Sequence, residues 1–145
     1  MSQTDLQIKI LSPDRICFRG TAKSLGLPGE LGYMTLLPGH ASMVASLDAG
    51  ILSMDIDGQS GQRLFLSGGF VDVSETGVTV LADVIEKSSE INVDRAKKAL
   101  ARADERLSTK SSGTLTAALD VPRALRAKKR AQLRLELAGA TKQLH

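Results

Sequence analysis

LFLSGGFVDVSETGVTVLAD, residues 64 to 83, holds the pattern that decides the fold. Val71 and Val73 fall on one side of an extended chain, and Val78, Val80 and Ala82 do the same a few residues later. Between them Ser74-Glu75-Thr76-Gly77 sits where a tight hairpin needs a residue at positive φ. The stretch therefore predicts two strands, Phe70–Val73 and Val78–Asp83, turning back on each other. Gly68-Gly69 just ahead of them reads as a bulge or a close approach between strands. No glycine of the chain is followed by lysine, so the phosphate-cradling P-loop signature is absent.

Outward from this hairpin the same grammar continues toward the N-terminus. Short apolar runs bounded by Gly, Pro and Asp predict strands near Leu6–Leu11, Ile16–Gly26, Gly32–Leu37, Ser42–Ser46, Gly50–Ile56 and Gln62–Ser67, with a further turn at Asp57-Gly58. Many short strands joined by tight turns predict a β-sandwich or flattened barrel. After Ser88-Ser89 the period changes. Val93, Ala96, Leu100, Ala103 and Leu107 recur at helical spacing, with Asn92 as N-cap and Asp94 in the first turn. Ser108 to Gly113 reads as a flexible turn and hinge, and a second helix is expected from about Asp120, with Pro122 in its first turn, to Leu137 or Ala138. The expected fold class is α+β: an N-terminal sandwich followed by an antiparallel two-helix hairpin. The helical stripe is narrow and mostly alanine, so the hairpin needs a surface to lie on, and packed and extended forms are expected to differ by only about a few kcal/mol.

Charge divides the chain at the same place. Residues 1 to 86 hold five basic and ten acidic residues, a net of −5, whereas residues 87 to 145 hold 14 and six, a net of +8. The expected organisation is thus a sandwich domain over 1–86 and a mobile basic hairpin over 87–145. Aromatic residues make up only 3% of the 145 residues, which leaves few platforms for stacking on bases. A lone Cys17 offers no internal disulfide, and the N-terminal MSQTDLQIKI looks like neither a signal nor a transit peptide, so a reducing compartment and a chain that stays where it is made are expected. No apolar run is long enough to predict a membrane span. His40 is the sole histidine besides the terminal His145, with no nucleophile and acid specified around it and too few ligands for zinc.

One segment runs against the composition. GELGYMTLLPGHASM, residues 29 to 43, carries a single charge in a chain that is 24% charged. Such a loop suits a surface that is buried against other proteins, where unpaired charge would be costly.

The residues quoted so far resemble, in their order and spacing, the ε subunit of bacterial F-type ATP synthases, called δ in mitochondria. The resemblance is carried by Ser67-Gly68-Gly69 followed by a hairpin ending in Thr79-Val80-Leu81-Ala82-Asp83, by Pro28-Gly29, Gly32 and Leu37-Pro38-Gly39-His40-Ala41, by Asp48-Ala49-Gly50-Ile51-Leu52, and by Arg95-Ala96, Ala99 and Arg102-Ala103. It covers most of residues 6 to 107 and weakens in the second helix. The resemblance implies a non-catalytic central-stalk subunit, peripheral on the cytoplasmic face of the bacterial inner membrane, whose sandwich docks on the γ subunit and the c-ring. It further implies helices that extend along γ toward the α and β subunits of the catalytic hexamer and inhibit ATP hydrolysis there.

Residue by residue, the resemblance implies an interface that draws on Glu30, Tyr33, Pro38, Gly39, His40, Ser67, Gly68 and Gly69. Relatives often have an acidic residue directly after the second glycine of the first turn; Tyr33 stands there in this chain, and Glu30 is the nearest carboxylate. The nucleotide-binding pattern of some bacterial members matches at Ile91, Arg95 and Ala96, with Asn92 in place of an acid, so the only cofactor in view is a regulatory ATP. Arg123, Arg126, Lys129, Arg130 and Arg134 form a basic run without an intervening acid, which the resemblance places against acidic segments of the β subunit. Read without the resemblance, that run fits a solvated helix face, anionic lipid or nucleic acid. A basic-tailed nucleic-acid-binding module is therefore the alternative function, although no base-reading motif accompanies the charges.

Overall fold

The computed structural model describes residues 5–56, 59–111 and 120–143. Contacts divide the chain into two compact units, Met1–Lys87 and Ser88–His145. In the first, ten strands run in chain order as β1 (Leu6–Leu11), β2 (Ile16–Ala22), β3 (Ser24–Gly29), β4 (Gly32–Leu36), β5 (Met43–Leu47), β6 (Gly50–Ile56), β7 (Gln59–Leu66), β8 (Gly69–Ser74), β9 (Gly77–Ala82) and β10 (Ile85–Lys87). They form one hydrogen-bonded sheet in the order β10-β7-β6-β3-β5-β8-β9-β1-β2, with β4 added on β3. All pairings are antiparallel except that of β1 with β9.

The sheet curls on itself because its alternating residues share one core. Ile8, Ile10, Val71, Val73, Val78 and Val80 from one half meet Leu25, Leu27, Leu52, Met54, Leu64 and Leu66 from the other, all buried. This is the flattened barrel that the period-two pattern predicts. The guanidinium of Arg15, between β1 and β2, donates to the carbonyl of Ile85 on β10 at 3.4 Å, linking the two end strands of the sheet.

Two strand predictions need correction. The single strand expected over Ile16–Gly26 is broken at Lys23, where the chain leaves β1 and its amide donates to the Asp55 carbonyl on β6 at 2.7 Å. Continuity of β-forming residues does not reveal a change of partner. The strand β10 was not anticipated, since three residues are too few to show a period. The Asp57-Gly58 turn lies outside the described residues.

In the second unit a short 3₁₀ turn, Ser88–Glu90, leads into α1 (Val93–Ser111), which is followed by α2 (Val121–Gln143). Asn92 caps α1: its side-chain oxygen accepts from the Arg95 amide at 3.0 Å, and its carbonyl accepts from Ala96. Asp120 caps α2 in the same way, accepting from the Arg123 amide at 3.1 Å. The buried seam is built on small residues seven apart, Ala96 and Ala103 on α1 and Ala124, Ala131 and Ala138 on α2. Lys128 and Asp104 pair across it at 2.8 Å, both partly exposed. The expected turn from Ser108 is displaced: α1 continues through Ser111, and positions 112 and 113 lie outside the described residues. Ser and Thr weaken a helix only slightly, so the run at 108–111 does not by itself end α1.

Candidate functional site

Because β-strand side chains alternate, the residues that do not face the core of the first unit form rows across its outer surface. On the section β5-β8-β9-β1-β2 the register aligns Ser46 with Phe70, Phe70 with Leu81, Leu81 with Leu11, and Leu11 with Ile16. Phe70, Leu81 and Ile16 are 57%, 48% and 54% exposed, so three large apolar side chains lie on solvent-facing positions in a single row. They line a groove of about 800 Å³ together with Ser67, Gly68, Gly69 and Glu30.

The neighbouring row, two residues away on β5, β8, β9 and β1 and three on β2 because the β1-β2 register shifts between them, is different. It aligns Val44 with Asp72, Asp72 with Thr79, Thr79 with Lys9, and Lys9 with Arg19. Val44 is largely exposed. The surface thus passes from an apolar stripe to a charged one within one pleat.

The register behind both rows depends on the two glycines. Gly68 and Gly69 have φ of +112° and +157°. A Cβ on Gly69 would overlap the carbonyl oxygen of Leu81 and stand 2.9 Å from Ala82 Cα. The strands approach so closely there that side chains are excluded, as expected for a paired glycine at a strand start. Ser67 completes the junction, its hydroxyl accepting from the Val84 amide at 3.1 Å while its own amide donates to the Val84 carbonyl.

The residues singled out by sequence fall into three places. Ser67, Gly68, Gly69 and Glu30 come together at the groove. Pro38, Gly39 and His40 lie at the opposite end of the β5-β8 pair, beside the Ser74–Gly77 turn, with His40 Nδ1 donating to the Ala41 carbonyl at 2.8 Å. Tyr33 stands on β4, over Gly26 of β3, with its hydroxyl 2.7 Å from Ser53 Oγ on β6. The tip of the β3-β4 hairpin, Glu30-Leu31, is exposed, and so are Tyr33 and Leu37. Sequence reading missed Ile16, Val44, Phe70 and Leu81. The available signal was their apolar character at outward positions of alternating strands, Phe70 beside Val71 and Leu81 beside Val80.

In the second unit Arg123, Arg126 and Lys129 are exposed on α2, while Arg130 and Arg134 are half-buried. The four nucleotide candidates lie just before α1 and in its first turn. Ile91 and Ala96 are buried, the Asn92 oxygen is held as a helix cap, and only Arg95 is both exposed and without a packing role among them. Replacing Asn92 by Ala is expected to lower helix stability by about 1 kcal/mol, read as loss of amide-exchange protection over residues 93–96. Unchanged protection would show that the cap carries nothing. Among the described residues no group of three or more His, Cys, Asp or Glu side chains could hold a metal, and no helix is long and apolar enough to cross a membrane.

Residues 5–88 match the family model described as ATP synthase, Delta/Epsilon chain, beta-sandwich domain. The ATP synthase epsilon chain of Moorella thermoacetica is 38% identical over 135 residues, covering 93% of this chain and 97% of that protein. That of Symbiobacterium thermophilum is 40% identical over 137 residues, covering 94% of each. A chain in the structure of the Euglena gracilis mitochondrial ATP synthase, resolved as OSCP/F1/c-ring, superposes with a TM-score of 0.67 at 22% identity, covering 98% of this chain and 82% of its own length. One from the central stalk and c-ring of the Tetrahymena thermophila enzyme superposes with a TM-score of 0.59 at 12% identity, covering 93% of this chain and 94% of its own length. At these identities the two structures show a shared fold.

Proposed function

Since the chain belongs to the delta/epsilon chain family of ATP synthases, we propose that it is a non-catalytic rotor subunit, seated on γ through the outer face of β5, β8, β9, β1 and β2. The observation that carries this reading is the apolar row of Ile16, Phe70 and Leu81, exposed where a solvated sheet would be polar. A stable docking site covers about 800 Å² per partner, and this row with its groove and flanking stripe offers a continuous surface for one. The hairpin tip Glu30-Leu31 and Tyr33 serve a second contact, to the c-ring, and the uncharged segment 29–43 allows it to be covered at little desolvation cost.

In this role the subunit transmits torque between the c-ring and γ and performs no chemistry of its own. It is peripheral, on the cytoplasmic face of the bacterial inner membrane. The test is direct: the full chain mixed with its γ subunit should elute as one complex from a size-exclusion column. Separate elution at both low and physiological salt would end this reading.

The helical unit acts as a brake on ATP hydrolysis, with the basic residues of α2 meeting acidic segments of the β subunit. The exposure of Arg123, Arg126 and Lys129 supports it. Replacing these three by Ala should raise ATP hydrolysis by the assembled complex several-fold, because exposed charge pairs each contribute about 0.2–1 kcal/mol. A hydrolysis rate equal to that of the unaltered complex would remove the braking role from these residues.

A further inference from the structure

On the outer sheet face, the row beside the apolar stripe places two cations directly opposite each other, Lys9 on β1 and Arg19 on β2. Lys9 stands between buried Ile8 and Ile10, so its side chain points away from the core, and Arg19 is exposed on the same face. Like charges directly opposed across a strand pair oppose folding. Among the described residues neither Lys9 nor Arg19 makes an ion pair or side-chain hydrogen bond, and Asp72 makes none either. Asp72 lies in the same row but beyond Thr79, two strand spacings or roughly 10 Å from Lys9, which is too far for a direct pair. The row therefore has a fixed polarity, negative on β8 and positive on β1 and β2, that no contact within the sheet uses.

We propose that this row orients the docked γ subunit by charge: an acidic group of γ lies over Lys9 and Arg19, and a basic group lies over Asp72. The inference rests on the docking reading given above and adds what the partner's surface must carry. The row Ser46-Phe70-Leu81-Leu11-Ile16 carries no charge, so by itself it sets no electrostatic preference between the two directions of an element lying along it. Rim charges beside such a stripe discriminate between the two, since the reversed arrangement sets like charges against each other. An acidic partner segment over Lys9 and Arg19 also removes the repulsion that the free subunit carries.

Two paired substitutions test it, each measured as affinity of the full chain for γ at low and high salt. Wild-type affinity should fall as salt rises. Lys9→Glu with Arg19→Glu keeps an equally repulsive pair within the sheet but reverses its sign, so binding at low salt should weaken by about 10- to 100-fold and its salt dependence should flatten or invert. Lys9→Gln with Arg19→Gln relieves the repulsion, so this chain should unfold at an equal or higher temperature and still bind γ more weakly. A purely structural role for the two cations would not produce stronger folding together with weaker binding. If wild type binds and both double variants match its affinity and salt dependence, the orienting role is overturned while docking stands. If wild type itself fails to bind γ, the docking reading falls and the orienting role falls with it.

Discussion

Gly69→Ala is expected to destabilise the sandwich by more than about 3 kcal/mol, enough to leave much of the chain unfolded at moderate temperature. Two costs add at this position. The backbone holds φ at +157°, a region that L side chains rarely adopt, and the new methyl would meet the Leu81 carbonyl and Ala82 Cα. Both obstacles are backbone atoms of the paired strand β9, so no side chain can swing aside. Relief requires the strands to separate where β8 starts and β9 ends, which breaks the pairing that leads into Val71 and Val80, both fully buried. Gly68→Ala is a useful contrast: its Cβ would stand 3.3 Å from the Leu47 carbonyl, a contact that a small shift relieves, leaving mainly the backbone cost of about 1–3 kcal/mol. Urea unfolding of the two variants should rank them in that order. A midpoint for Gly69→Ala close to wild type would mean that the strands do not approach as described.

The second large effect concerns docking. Phe70→Asp combined with Leu81→Asp should reduce affinity for γ by more than about 1,000-fold, equivalent to about 4 kcal/mol, while leaving the thermal unfolding temperature within a few degrees of wild type. The two residues are cross-strand neighbours, and their exposed portions amount to roughly 200 Å² of apolar surface. Covering that area contributes about 5 kcal/mol at about 25 cal/mol per Å². Carboxylates in the same places remove this contribution and add the cost of burying unpaired charge. The side chains at 70 and 81 already face solvent, so the cost to the fold is confined to the repulsion of two carboxylates opposed across the strand pair, about 0.2–1 kcal/mol, or a few degrees. Titration of γ with the double variant decides the matter: binding within threefold of wild type would show that γ sits elsewhere, and a collapsed unfolding temperature would show that the two side chains serve the fold instead.

The two predictions differ in how visible their residues were beforehand. Gly68-Gly69 announces itself in sequence, as a pair of glycines between β-forming runs, and the close approach expected of it is what the strands show. Phe70 and Leu81 do not. Each is one apolar residue in an apolar stretch, and alternation identifies its outward orientation without revealing that the two stand side by side. Tyr33 and Pro38–His40 illustrate the reverse difficulty. They are near neighbours in a conspicuous loop, yet the fold sends them to different places, Tyr33 over Gly26 and His40 beside the Ser74–Gly77 turn.

Local physics in this chain is settled by residues near one another. Val71 and Val73, and Val78, Val80 and Ala82, set strands and their buried side, Asn92 and Asp120 set helix starts, and Val93, Ala96, Leu100, Ala103 and Leu107 set one stripe of the first helix. Those features, and the family, were determined by the sequence alone. The docking face was decided only in the tertiary structure. It depends on the parallel pairing of β1 with β9 and on β5 joining β8, contacts between segments far apart in the chain, and on the register shift at Ile10 and Leu11 in the β1-β2 pair. A one-residue slip between β1 and β9 would carry Leu11 and Ile16 out of line with Phe70 and Leu81, and period-two alternation, which is blind to register between strands, would look the same.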